Sequence, residues 1–126
     1  MLNAILDRSD RCYAPGETLL ARIEWDLDSP PRAIYLELRW DTEGKGTSDY
    51  EVVSEEKWTG LSARGNQTWS VRLPRGPLSL DGRLLRIHWS LRCRADGRDI
   101  NPVSLTISPT RQPIQLSTSS ESRSAP

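Results

Sequence analysis

The chain of 126 residues contains no phenylalanine, one histidine, one methionine and no net charge. Each shortage removes a class of function. A single histidine and two cysteines at positions 12 and 93 cannot form a metal-binding or redox cluster by their spacing. Zero net charge gives no whole-molecule attraction to nucleic acid or anionic lipid. No apolar run approaches the length that spans a bilayer as a helix. The stretch from Met1 to Asp7 lacks the basic start and apolar centre of a secretory signal. A cytoplasmic location with reduced thiols is the resulting expectation.

Hydrophobic residues make up 36% of the chain, and five tryptophans and three tyrosines supply all the aromatic side chains. The chain is long enough for one domain around one core. Charge is unevenly placed. Residues 1–63 carry seven basic and thirteen acidic side chains, and residues 64–126 carry ten basic and four acidic. Two readings are open. Strands of the two halves interleave and pair their charges across a sheet, or the molecule presents one acidic and one basic surface for docking.

The hydropathy pattern has period two almost throughout, which is the signature of strands with one buried face. Leu19, Ala21, Ile23, Trp25 and Leu27 alternate with Leu20, Arg22, Glu24 and Asp26. Asp28-Ser29-Pro30-Pro31 stops that strand, because proline cannot donate to a ladder. Ile34, Leu36, Leu38 and Trp40 then alternate with Tyr35, Glu37, Arg39 and Asp41, up to a turn at Gly44-Lys45-Gly46. Ser48 to Thr59 reads as a polar strand, and Trp69, Val71 and Leu73 mark a short one. A Pro/Gly corner follows. It leads into a long strand with Leu85, Ile87, Trp89, Leu91, Cys93 and Ala95 on one side and Arg86, His88, Ser90, Arg92 and Arg94 on the other. Asp96-Gly97 is a two-residue hairpin signal, and Val103, Leu105 and Ile107 form the return. Ser117 to Pro126 holds five serines and cannot bury enough surface to offset its ordering entropy, so a disordered tail is expected.

The sum is an all-β domain over residues 1–116: a two-sheet antiparallel β-sandwich of seven to eight strands, immunoglobulin-like in architecture. Leu2 to Asp7 and Ser48 to Thr59 are the expected edge strands. Trp25, Trp40, Trp69 and Trp89 belong to the apolar face, and the register leaves Trp58 as a candidate exposed ring.

Two motifs carry a resemblance. Tyr13-Ala14-Pro15-Gly16-Glu17 before an alternating strand resembles the Tyr-x-x-Gly-Glu lead-in to an early strand of arrestin-like domains. Leu73-Pro74, Pro77-Leu78-Ser79, Gly82 and Ile87-His88-Trp89-Ser90-Leu91 resemble, in order, a later Leu-Pro turn, a Pro/Ser corner, a glycine and a strand with a central aromatic. The resemblance covers about residues 2–116 and is to the amino-terminal sandwich of such proteins. It implies a non-enzymatic adaptor. No functional residue is carried over, because a fold does not assign a site.

Catalytic sets are not assembled by this sequence. His88 and Cys93 stand an odd number of residues apart on one strand and so face opposite ways. His88 and Ser90 share a side but stand about 7 Å apart, too far for proton transfer. Only a pocket around His88 would argue for an enzyme. The one positional signal is the basic ladder Arg86, His88, Arg92 and Arg94, with Arg83 and Arg98 near its ends. It either pairs with Glu24, Asp26 and Glu37 on neighbouring strands or docks acidic or phosphorylated groups of a partner protein. No cofactor is expected. Nucleic acid is not expected either, because the ladder has no interleaved aromatics for stacking. Open edges also favour homodimers by sheet extension. The competing reading is a carbohydrate-binding sandwich, which needs Tyr35, Tyr50 and Trp58 exposed together.

Overall fold

The computed structural model describes residues 1–44, 47–82, 85–109 and 114–116. The expected tail at 117–126, Arg83, and Lys45-Gly46 of the first hairpin turn lie outside the described residues. Eleven strands are present among the described residues: β1 (Leu2–Leu6), β2 (Cys12–Tyr13), β3 (Thr18–Asp26), β4 (Ile34–Gly44), β5 (Thr47–Trp58), β6 (Arg64–Arg72), β7 (Leu80–Gly82), β8 (Leu85–Ala95), β9 (Arg98–Asp99), β10 (Val103–Ile107) and β11 (Ile114–Leu116). Four of these have only two or three residues, so the seven longer strands are those the alternation marks.

The strands form two sheets. The small one has the order β1-β3-β6, all antiparallel. In the large one β8 is central. One flank of β8 pairs with β4 along its full length, and β5 pairs with the outer side of β4. The other flank is shared by β7, β10 and β9 in succession. Two short pairs, β2 with β10 and β7 with β11, are parallel, so the sandwich is not wholly antiparallel. A parallel partner must arrive by a long crossover, and turn signals in sequence do not announce one.

The core lies between the sheets. Leu19, Ala21, Ile23 and Trp25 of β3 face Leu36 and Leu38 of β4, Trp89 and Leu91 of β8, and Leu105 and Ile107 of β10 as one buried cluster. Trp89 is fully buried, and its indole N–H donates to Pro77 O at 2.9 Å. Truncating such a ring to alanine costs about 3–5 kcal/mol. Ser79 ties the preceding corner to β10: its N–H donates to Ile107 O and its Oγ accepts from Ile107 N, both at 2.9 Å.

The apolar side of β8 is shorter than its alternation suggests. Trp89, Leu91, Cys93 and Ala95 are buried, but Leu85 is exposed and Ile87 half-buried. Three strands cannot cover all of an eight-stranded sheet, and the start of β8 extends past the cover. Trp40 is likewise only half-buried, though it packs against the core.

The Tyr13–Glu17 motif closes a polar knot at one end of the small sheet. Pro15 and Gly16 occupy the middle of a turn in which Glu17 N donates to Ala14 O at 3.1 Å, with Gly16 at a φ of 83° that a side chain would strain. The Glu17 carboxylate accepts from Ala14 N at 2.7 Å and from both Nη atoms of Arg8 at 2.7 and 3.0 Å. Tyr13 O–H donates to Asp7 Oδ1 at 2.6 Å, and the Arg8 guanidinium lies over the Tyr13 ring. Hydrogen bonding to Glu17 raises the Arg8 pKa, and burial, followed by the bond to Asp7, raises that of Tyr13.

Candidate functional site

The outer face of the large sheet collects the polar side chains of β4, β5 and β8. Antiparallel register sets Tyr35 opposite Arg94, Glu37 opposite Arg92, Arg39 opposite Ser90, Asp41 opposite His88 and Glu43 opposite Arg86. Directly opposed residues share a face, so β4 brings mostly acids to the strand that carries the basic ladder.

Two of the four ladder residues, Arg86 and Arg92, are therefore paired at home. Arg86 contacts Asp81 at 3.4 Å and Glu43 at 4.0 Å. Arg92 reaches Asp41 at 3.8 Å. Asp41 is shared, because Arg39 Nε lies 3.0 Å from its Oδ1 as an ion contact without hydrogen-bond alignment, and Arg39 Nη2 donates to its Oδ2 at 3.4 Å. Glu37 pairs with Arg39 at 3.8 Å, and the Tyr50 ring lies against the Arg39 guanidinium. Beneath this cluster Ser90 is buried, and its Oγ makes no hydrogen bond among the described residues.

The expected partners Glu24 and Asp26 are a correction. They lie on β3 of the small sheet, whose outer face looks away from β8. There Glu24 pairs with Arg22 at 3.0 Å and Asp26 with Arg64 at 2.9 Å. Pairing across strands does hold between the two halves of the chain, but the ladder's carboxylates in it are Glu43 and Asp41 of β4, and Asp26 of β3 joins Arg64 instead.

The ladder also divides between two grooves. Arg92 and Arg94 border one of about 850 Å³, whose lining includes Tyr35, Glu55, Lys57 and Asp99. Arg86 and His88 border another of about 530 Å³ with Asp10, Arg11 and Ser104. In the second groove His88 Nε2 lies 3.2 Å from Ser104 Oγ. Asp41 is opposite His88 in register, yet its ion contacts are with Arg39 and Arg92. Among the described residues no carboxylate lies within 4.0 Å of the imidazole. A nucleophile–base contact is present, then, without the group that orients the base.

The first groove has a different character. Arg94 and Lys57 both place their cations over the Tyr35 ring, at 5.0 and 5.6 Å from its centre. Neither forms an ion pair within 4.0 Å among the described residues. Lys57 comes from β5, opposite Tyr35 across the hairpin. Its place beside Arg94 escaped the sequence reading because β5 carries a bulge facing Leu38 and Arg39, which breaks simple counting. β5 is paired only with β4, so the groove borders an open sheet edge among the described residues.

The three rings of a sugar platform are not brought together. Tyr50 stands opposite Asp41, six residues along β4 from Tyr35, a separation of roughly 20 Å in a strand. Trp58 stands opposite the buried Ile34 and packs against the core, so it is half-buried on the inner side.

These two sheets form a β-sandwich with an arrestin-like fold. The comparison with solved structures gives the particular likeness: the sporulation control protein Spo0M from Bacillus subtilis, with a TM-score of 0.62 and 16% identity. That match covers 85% of this chain and 48% of the other, so the chain spans about half of the sporulation control protein. A D270A β-glucosidase from Listeria innocua, in complex with laminaribiose, matches with a TM-score of 0.51 and 11% identity over 90% of this chain and 16% of the enzyme. At these identities the likeness is one of fold. No protein-family model matches the sequence, and no curated protein does. No helix among the described residues is long and apolar enough to cross a membrane.

Proposed function

We propose that this chain is a non-enzymatic adaptor that holds an acidic segment of a partner protein on the outer face of its large sheet. The observation that carries the reading is the pair Lys57 and Arg94 over Tyr35, two cations with no carboxylate within 4.0 Å among the described residues, in a groove beside the edge of β5 that no described strand pairs. A carboxylate placed between them gains two charge-assisted contacts without breaking an internal ion pair. The edge of β5 offers main-chain groups for the same segment to lie along. Arg86 and Arg92 are poorer sites, because an incoming anion must compete with Glu43, Asp81 and Asp41. The sporulation control protein of similar fold supports a regulatory role, and the commitment of Asp41 to arginines argues against catalysis at His88.

The test is a fluorescence-anisotropy titration with labelled extended peptides, one rich in glutamate and one of equal length rich in lysine. The glutamate peptide is expected to bind, more weakly as salt rises. Lys57→Glu with Arg94→Glu should abolish that binding, while Arg86→Glu alone should change it little. Equal binding of both peptides, or retention by a folded double variant, would remove this site.

A further inference from the structure

β6 is an open edge of a different kind from β5. It pairs with β3 over nine residues in unbroken register, and no strand among the described residues pairs with its other side. Edge strands of natural proteins are usually blunted by charge, proline, a bulge or shortness. β5 has a bulge and Asp49, Glu51, Glu55 and Glu56, and β1 is short. β6 reads Arg-Gly-Asn-Gln-Thr-Trp-Ser-Val-Arg, with no carboxylate, lysine, proline or bulge.

The direction of its free backbone groups follows from two bonds. Leu27 N donates to Ala63 O at one end of the β3–β6 ladder, and Leu73 N donates to Glu17 O at the other. Antiparallel ladders alternate, so the odd-numbered residues of β6 turn their N–H and C=O groups toward β3. Asn66, Thr68 and Ser70 turn theirs outward. Their side chains are short, uncharged and exposed on the outer face.

We propose that β6 is a homodimer contact, in which two copies pair antiparallel about a twofold axis at Gln67. That register sets Asn66 opposite Thr68 and Arg64 opposite Ser70. Each of these pairs is of the type that exchanges both backbone bonds. No like charges meet, because Arg64 is opposed by serine and is already held by Asp26 at 2.9 Å. A second copy is the occupant because the central outward residues Asn66, Thr68 and Ser70 carry no charge with which to select a foreign strand, while the pattern is complementary to itself under twofold rotation, with Arg64 and Arg72 at the ends opposed by Ser70 and Ser62. The two three-stranded sheets then become one of six strands. This contact is separate from the groove at Tyr35, and either can exist without the other.

Sedimentation equilibrium of the full chain across a dilution series is expected to show a monomer–dimer equilibrium. Thr68→Pro removes one outward N–H at a ladder position whose N–H points away from β3, the edge position where proline is tolerated. It should leave a folded monomer. Residue-resolved hydrogen exchange on the wild-type chain provides a second readout that does not depend on the variant folding. Amides of Asn66, Thr68 and Ser70 should gain protection as concentration rises, while Gln67 and Trp69 stay protected throughout. A monomer at every concentration overturns the proposal, as does a dimer in which the three amides exchange freely. Concentration-independent protection of the three in a monomer also overturns it, since the chain would then be covering its own edge.

Discussion

Tyr13 and Cys93 are the residues whose titration the fold displaces furthest, and both move upward. Burial, with a smaller contribution from Asp99, raises the Cys93 thiol from 9.0 to about 12. Burial and the bond to Asp7 raise the Tyr13 hydroxyl above its ordinary 10.0. In each case the folded chain keeps a proton that the unfolded chain releases. Stability from these groups is complete below the unfolded pKa and is lost as pH rises toward the folded one. The urea midpoint should therefore hold steady to about pH 9 and fall between 9 and 12, and the fall should be shallower in Cys93→Ala. Tyr13→Phe should lose about 1 kcal/mol at neutral pH, the net worth of a hydrogen bond, because Asp7 Oδ1 keeps only Leu20 N. Thiol labelling gives an independent check. Cys12, half-buried with its Sγ donating to Asp10 O, should react in the native state, and Cys93 should react only on unfolding.

Among the elements, β3, β4 and the second half of β8 show how far alternation reaches. Ile23, Leu38 and Leu91 are fully buried where period two puts them, because those strands have one face under the other sheet. Asp96-Gly97 likewise forms its turn with both residues at positive φ, which brings β9 back onto the end of β8. Ser90 shows where the rule stops. It belongs to the polar side of β8, yet Arg39 from the neighbouring strand stands opposite it and Tyr50 from the next lies on Arg39, so it is buried from outside. Neighbouring strands are a matter of topology, which period two does not encode. Arg94 is legible as a site residue, but its companion Lys57 is not, because the bulge in β5 shifts the register that sets it opposite Tyr35. Gly65 of β6 shows the same dependence on a neighbour. A Cβ there would come within 2.9 Å of Trp25 Cζ2, and that ring is anchored by its N–H to Ser62 O at 2.8 Å. Gly65→Ala should therefore destabilise the chain by about 1–3 kcal/mol, the range for overpacking, and should shift Trp25 fluorescence. A full-strength fold with unchanged emission would show that the added methyl is accommodated without displacing the ring.

At the scale of the whole molecule, the opposed charges of the two halves become the way each sheet is assembled. Residues 1–63 supply β1 to β5 and residues 64–126 supply β6 to β11, yet neither sheet belongs to one half. β3 needs β6 to complete the small sheet, and β4 pairs with β8 along eleven positions of the large one. Three ion pairs cross the same division: Asp26 with Arg64, Asp41 with Arg92 and Glu43 with Arg86 each join an acid of the first half to an arginine of the second. Surface pairs of this sort contribute little stability singly, but opposite net charge on two chain segments speeds their encounter. Cutting between Ala63 and Arg64 tests the argument. Each fragment alone would expose half of a core that includes Trp25 and Leu38 on one side and Trp89 and Leu105 on the other, so each should lack stable sheet structure by circular dichroism. Mixed in equal amounts, they should recover the β signal, and the association rate should fall as ionic strength rises. A fragment that folds alone would mean that one half holds a sufficient core, and a salt-independent rate would mean that apolar burial alone guides the two together.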